Sequence, residues 1–239
     1  MNGVVFRLAL RRLLVRRRTL FLVLAGLLPA VVALLYRLDS TPHADAFESA
    51  IGEIFLPFVL PFVALVIGAS AIGEERDDGT ILYLASTPLR RLQIVLPLLA
   101  GAALTTLVVC VPGFLACLAI APGSSKGSTL AWGLTATVGA TLAYTGLFGW
   151  VSLRAPRPVV LGMLYIVIWE GSITSFAPSA RWLSIESYAR ATVAGGLPGG
   201  VTTLNAPDLA PLAGLVVLLC ASVLWIALAT RRFLKVELP

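Results

Sequence analysis

The chain has 239 residues, of which 58% are hydrophobic and only 13% charged, with a mean hydropathy of +0.93. One globular core could not bury that much apolar side chain, so a water-soluble domain is excluded and an all-α integral membrane protein is expected. The net charge of +6 comes from positive residues set beside apolar runs rather than on one soluble face, which points to membrane lipid as a partner and away from nucleic acid.

Residues 1–18 carry Arg7, Arg11, Arg12, Arg16, Arg17 and Arg18, interleaved with Phe6, Leu10, Leu13 and Leu14 at helical spacing. This predicts a basic helix lying on anionic lipid. Residues 19–36 form the first predicted span. A cleaved signal peptide is the competing reading, since Ala44-Asp45-Ala46 has the small-x-small form. The apolar run is too long for a signal core, however, and the site falls beyond the usual range of roughly 15–30 residues. Arg37 to Glu53, with Asp39, Asp45, Glu48 and Glu53, reads as a short acidic loop. The second span is predicted over 54–72, where Pro57 and Pro61 remove two helix donors and should loosen its first half.

Residues 73–91 are a charged island between two long apolar runs. In Glu74-Glu75-Arg76-Asp77-Asp78-Gly79-Thr80, Asp78 can accept from the free amides of a first helical turn, and Ile81, Leu84 and Ala85 then share one face. A short amphipathic helix over about Thr80 to Ser86 is predicted. Thr87-Pro88 is a second start signal, because a hydroxyl cap and a first-turn proline suit the next helix.

The third span is predicted over 92–120, containing Pro97 and Pro112. The turn Pro122 to Ser128 is rich in Gly and Ser but lacks the phosphate-loop spacing, so the chain is read as having no nucleotide site of its own. Residues 129–153 form the fourth span, along which Gly133, Thr137, Thr141, Thr145 and Gly149 recur every four residues. Such a stripe permits close helix approach and interhelical hydrogen bonds. It serves either packing within the protomer or a transport path or subunit interface.

A fifth span, 158–170, closes on Trp169-Glu170. Glu170 is a candidate for cation or proton binding, since ionisable groups near hydrocarbon are costly, or else for tying the next loop to the helix end. Residues 171–208 are polar but carry Phe176, Trp182, Leu183, Ile185 and Tyr188, which suggests short interfacial helices. The sixth span covers 209–230.

Cys110, Cys117 and Cys220 lie in apolar runs. The first two are about 10 Å apart along a helix, beyond disulfide reach. A single histidine, His43, gives no zinc site. With six spans, fourteen Lys and Arg fall on one side and four on the other. The positive-inside rule then places both termini and the island of this multi-pass protein in the cytoplasm.

The island, with Glu-Glu-Arg-Asp-Asp-Gly-Thr followed by an apolar turn and Ser-Thr-Pro-Leu-Arg-Arg, resembles the cytoplasmic loop after the second span in permeases of the ABC transporter type 2 family. The six-span layout extends the resemblance over nearly the whole chain as one transmembrane domain. The resemblance implies an exporter subunit whose island is a coupling helix on a separate ATPase. Glu74, Glu75, Asp77, Asp78, Gly79, Thr80, Ile81, Leu84, Ala85, Pro88 and Arg90 would then be contact residues. It also implies two ATPase copies holding ATP and Mg, a second permease copy or homologue, no cofactor in this chain and no catalysis by it. A lysine often found one turn into the third span is replaced by Leu96-Pro97, so the cargo is not fixed by the resemblance.

Two other classes are weighed. A glutamate-dependent membrane protease carries Glu-Glu-x-x-x-Arg with later histidines, but here Gly79 stands at the arginine position and His43 precedes the motif. An ion-coupled secondary transporter calls for polar groups at mid-membrane and usually an internal repeat, and neither is evident.

Overall fold

The computed structural model describes residues 17–38, 46–77, 92–121, 126–176, 178–197, 204 and 207–234. Among them every regular element is helical. Five helices are long and apolar enough to cross a membrane: Thr19–Leu38, Ala46–Ala71, Val95–Ile120, Gly127–Arg154 and Pro211–Arg232. The apolar helix Pro158–Ile173 is shorter; at the α rise its sixteen residues reach about 24 Å, against a hydrocarbon thickness of about 30 Å. Six full-length spans were expected, and by length the described residues hold five.

The first apolar stretch is two helices, α1 (Arg17–Gly26) and α2 (Leu28–Leu38). They break at Leu27, two residues before Pro29, whose missing N–H leaves a carbonyl of the preceding turn without its donor. At this break α1 crosses α5 (Leu92–Ile120) with backbones in contact. A Cβ built on Gly113 would lie 1.8 Å from the Gly26 carbonyl oxygen, and one on Gly26 would lie 2.6 Å from the Val109 oxygen. Only glycine fits this crossing.

The second long helix begins earlier than its sequence suggested. The acidic loop expected to reach Glu53 is helical from Ala46: α3 (Ala46–Ser49) runs into a π-helical segment, Ala50–Val59, and then α4 (Leu60–Asp77). Phe47, Ala50, Ile51 and Phe55 are buried while Glu53 is exposed, so Glu53 rides on the outer side of a helix rather than ending the loop before it. The π winding has a local cause. Pro57 inside it cannot donate to the preceding turn, and the ladder shifts to i→i+5 bonds, as in Leu60 N–H to Phe55 O. At its other end α4 continues to Asp77, beyond the expected stop at residue 72.

The central helix is α6 (Lys126–Arg154). It packs against α4, α5, α9 (Ile185–Ala194) and α10 (Pro211–Leu234). Phe114 of α5 meets Phe47 and Phe55 at ring-centroid distances of 6.1 Å, and a Cβ on Gly133 would strike its ring at 2.2 Å. Between α6 and α9 come α7 (Pro158–Leu164), a second π segment (Tyr165–Ile173), α8 (Thr174–Phe176) and a 3-10 turn (Pro178–Leu183).

The segment expected to carry short interfacial helices differs in one respect. Eight of the ten residues of α9 are buried, and the helix is wedged against α6 and α10 instead of lying on the surface. Its small residues Ala189, Ala191 and Ala194 allow that approach, and a Cβ on Gly214 of α10 would come within 2.9 Å of the Tyr188 carbonyl oxygen. The Ser128 and Thr129 hydroxyls donate to Gly196 O at 3.1 and 3.0 Å, fastening the end of α9 to the start of α6.

Candidate functional site: a buried carboxylate beside a charged cavity

Glu170 is 2% exposed. A carboxylate removed from water needs its lone pairs filled, and four donors from three parts of the chain fill them. Tyr165 of the same π segment donates to Oε1 at 2.8 Å, Tyr144 of α6 at 3.2 Å and the Ile185 backbone N–H at 3.2 Å. The Ser184 hydroxyl donates to Oε2. The π winding is what brings Tyr165 and Glu170 together, because residues five apart stack on successive turns there. Tyr144 stacks on Phe148 at 5.9 Å, and Phe148 meets Tyr165 edge-on at 6.2 Å, so the phenol positions are fixed by packing.

Ser184 does two jobs. Its oxygen is the N-cap of α9, accepting from Ser187 N–H at 3.1 Å, while its proton goes to Glu170. The carboxylate thereby sits at the positive end of α9 and ties α9 to the end of the preceding apolar helix.

Beside it lies a cavity of about 380 Å³ lined by Glu53, Pro57, Glu170, Thr174, Arg181, Glu186 and Arg190, among others. Arg190 grips Glu186 at 2.6 Å and also donates to Leu204 O at 2.8 Å. Burial, opposed by Arg190 and reinforced by the charge of Glu170, lifts the Glu186 carboxyl to about 7. Arg181 donates through Nε to Thr174 O at 3.2 Å. Sequence reasoning missed Tyr144, Tyr165, Ser184, Glu186 and Arg190. The signals were a serine followed by a first-turn glutamate and a Glu–Arg pair at i, i+4.

The threonine stripe lies inside the protomer. Thr137, Thr141 and Thr145 are all buried, and a Cβ on Gly68 of α4 would come within 3.3 Å of the Thr145 backbone. Thr137 donates to Gly133 O and Thr145 to Thr141 O at 2.8 and 2.7 Å, while Thr141 Oγ1 has no hydrogen-bond partner among the described residues. Glu170 and this stripe share α6 as support but form separate environments. Of the island, Glu74, Glu75 and Asp77 stand on the last turns of α4. Asp78, Gly79, Thr80, Ile81, Leu84, Ala85, Pro88 and Arg90 lie outside the described residues. Among the described residues no group of His, Cys, Asp and Glu could hold a metal ion, and Cys110, Cys117 and Cys220 are free thiols.

Compared with known proteins, residues 15–238 match the model of the ABC-2 family transporter protein family. No curated protein sequence matches the chain.

Proposed function

Since the chain belongs to the ABC-2 transporter family, we propose that it is the membrane-spanning permease subunit of an ABC exporter, moving its cargo with ATP hydrolysed, with Mg, by a separate subunit. The observation that carries this reading is the extent of the family match, which runs from residue 15 to residue 238 and so takes in all five long apolar helices, the island and the Glu170 cluster. In this reading Pro158–Ile173 completes a sixth crossing together with the turn that follows it. Both termini and the island are cytoplasmic in a prokaryotic plasma membrane, and two permease chains assemble with two ATPases. Residues 73–91 form the cytoplasmic coupling loop, in which a short helix over about Thr80 to Ser86 docks through Ile81, Leu84 and Ala85 while Glu74, Glu75, Asp77 and Asp78 set its ends and register. The four donors on Glu170 support a structural tie over an ion-coupling carboxylate, which would need an open coordination position.

The test is Leu84→Asp. An unpaired charge in a docking face costs several kcal/mol, roughly 3–5, and the residue lies outside both membrane and cargo path in this reading. Insertion and thermal stability of the isolated permease are expected to stay normal, while co-purification of the ATPase and transport are lost. Full ATPase binding and full transport by Leu84→Asp would overturn the coupling assignment.

A further inference from the structure

The charged cavity holds more acid than base. Glu53, Glu170 and Glu186 line it against Arg181 and Arg190, so with every group ionised it carries one negative charge in excess. The four donors on Glu170 are neutral groups, which fill its lone pairs without cancelling its charge. Glu186 has an open position. It is 6% exposed, and the two Arg190 nitrogens that reach it, Nε and Nη2, both fall on Oε1 at 2.6 Å. Its Oε2 meets no donor among the described residues. Glu53 and Phe58 are exposed whereas Glu170, Glu186 and Ser187 are buried, so the lining passes from an open rim to a closed floor.

Charge and shape together select the occupant. Three carboxylates line the cavity, yet among the described residues no three acidic, His or Cys groups converge closely enough to seat a metal ion, so the excess charge suits a molecular cation. The volume of about 380 Å³ falls at the small end of small-molecule sites, about 300–1,000 Å³. Pro57 and Phe58, four and five residues on from Glu53 in the same π segment, set an apolar surface beside its carboxylate. We propose that the cavity binds a small aliphatic primary ammonium ion, its N–H donors on Glu186 Oε2 at the floor and its carbon chain toward Pro57, Phe58 and Glu53 at the rim. A proton competes for the same oxygen. Glu186 is faced by Glu53 and Glu170 on the two π segments, by Arg181 on the 3-10 turn, by Arg190 on its own helix, and by Tyr144 of α6 and Tyr165; α10 lends no residue to the cavity. Burial raises its carboxyl to about 7, so a cation that needs the ionised form binds more tightly above that pH than below it. The site is complete in one protomer and needs no ATPase, so it stands or falls apart from the transport assignment.

Isothermal titration calorimetry on the full chain in a non-ionic detergent, at fixed ionic strength, tests the site. The probes are n-butylammonium, its uncharged counterpart 1-butanol, tetramethylammonium, which has no N–H, and sodium. Saturable binding is expected for n-butylammonium, with the other three weaker by roughly tenfold or more, the scale of one charge-assisted hydrogen bond. n-Butylammonium is expected to bind roughly tenfold more tightly at pH 8 than at pH 6, the change that follows when a group titrating near 7 must give up its proton. Arg181→Gln removes an opposing charge and is expected to tighten n-butylammonium, whereas Glu53→Gln, at an exposed and screened position, is expected to weaken it about threefold. A role in stability alone would not move affinity in opposite directions. Glu186→Gln is expected to weaken binding and to remove its pH dependence; should that variant lose its thermal transition, the other two still decide. Absence of saturable binding, equal binding of any of the three controls, an affinity unchanged between pH 6 and pH 8, or failure of Arg181→Gln to tighten n-butylammonium would overturn the proposal.

Discussion

Glu170 shows how one side chain can hold three parts of a chain. Its removal as Glu170→Ala strands the Tyr144 hydroxyl, the Ser184 hydroxyl and the Ile185 N–H in a buried place, and each stranded polar group costs about 1–3 kcal/mol. We expect a loss of about 3 kcal/mol or more, seen as a lowered melting temperature in detergent, with Glu170→Gln intermediate because an amide oxygen still accepts. Full stability of Glu170→Ala would show that the cluster carries no weight. Glu186 adds a pH dependence. Its carboxyl is raised from 4.5 to about 7 in the fold, so the folded state holds the proton more tightly than the unfolded chain does. The contribution is therefore complete below about pH 4.5 and is lost as pH rises toward 7. Glu53, Glu170, Arg181 and Arg190 face it across the cavity and set the size of the effect. Thermal stability measured from pH 4.5 to 8 is expected to fall across that window, and Glu186→Gln should flatten the slope.

At the level of elements, two devices shape the bundle, and both are written in single residues. Prolines reset the hydrogen-bond ladder, as Pro57 does in the π segment that turns Glu53 outward while Phe55 stays in the core. Pro97 and Pro112, by contrast, sit inside one uninterrupted helix, α5. Glycines set how closely helices cross. Gly113→Ala would place a methyl 1.8 Å from the Gly26 carbonyl oxygen, and backbone cannot yield as a side chain can. The expected cost is about 1–3 kcal/mol, detectable as a lower melting temperature. Gly127→Ala, where a Cβ meets nothing within 4 Å, serves as the control and should change little.

For the whole molecule, the transport reading makes demands on topology and assembly. In a Cys220→Ser background, since Cys220 is the exposed thiol of the three, single cysteines at Asp78 and Lys126 are expected to be labelled from opposite faces of the membrane. Labelling of both by an impermeant reagent added outside would end the six-span layout. Native mass spectrometry of the complex purified with its ATPase is expected to give two of each subunit. A transport-active, ATP-independent monomer in liposomes would rule against the exporter assignment.

That the described residues are all-helical and include long apolar helices followed from the sequence alone, because a helix satisfies its own backbone and a membrane span needs only length and apolarity. The family followed as well, from a short charged motif and its setting. Helix ends were less legible. The stretch before Ile54 looked like an acidic loop, yet helix runs through Glu48 and Glu53, since an exposed charge such as Glu53 costs little on the outward side of a helix and only the neighbours decide which side is outward. Glu170 could be singled out by type and place, but not its partners, which stand 14, 15 and 26 residues away at Ser184, Ile185 and Tyr144. The same holds for α9. Its polar, aromatic surroundings suggested a surface position, and its burial became visible only once α6 and α10 enclosed it. Local sequence dictates a hydrogen-bond ladder, whereas burial and the filling of a buried carboxylate's lone pairs depend on which distant segments the packing brings alongside.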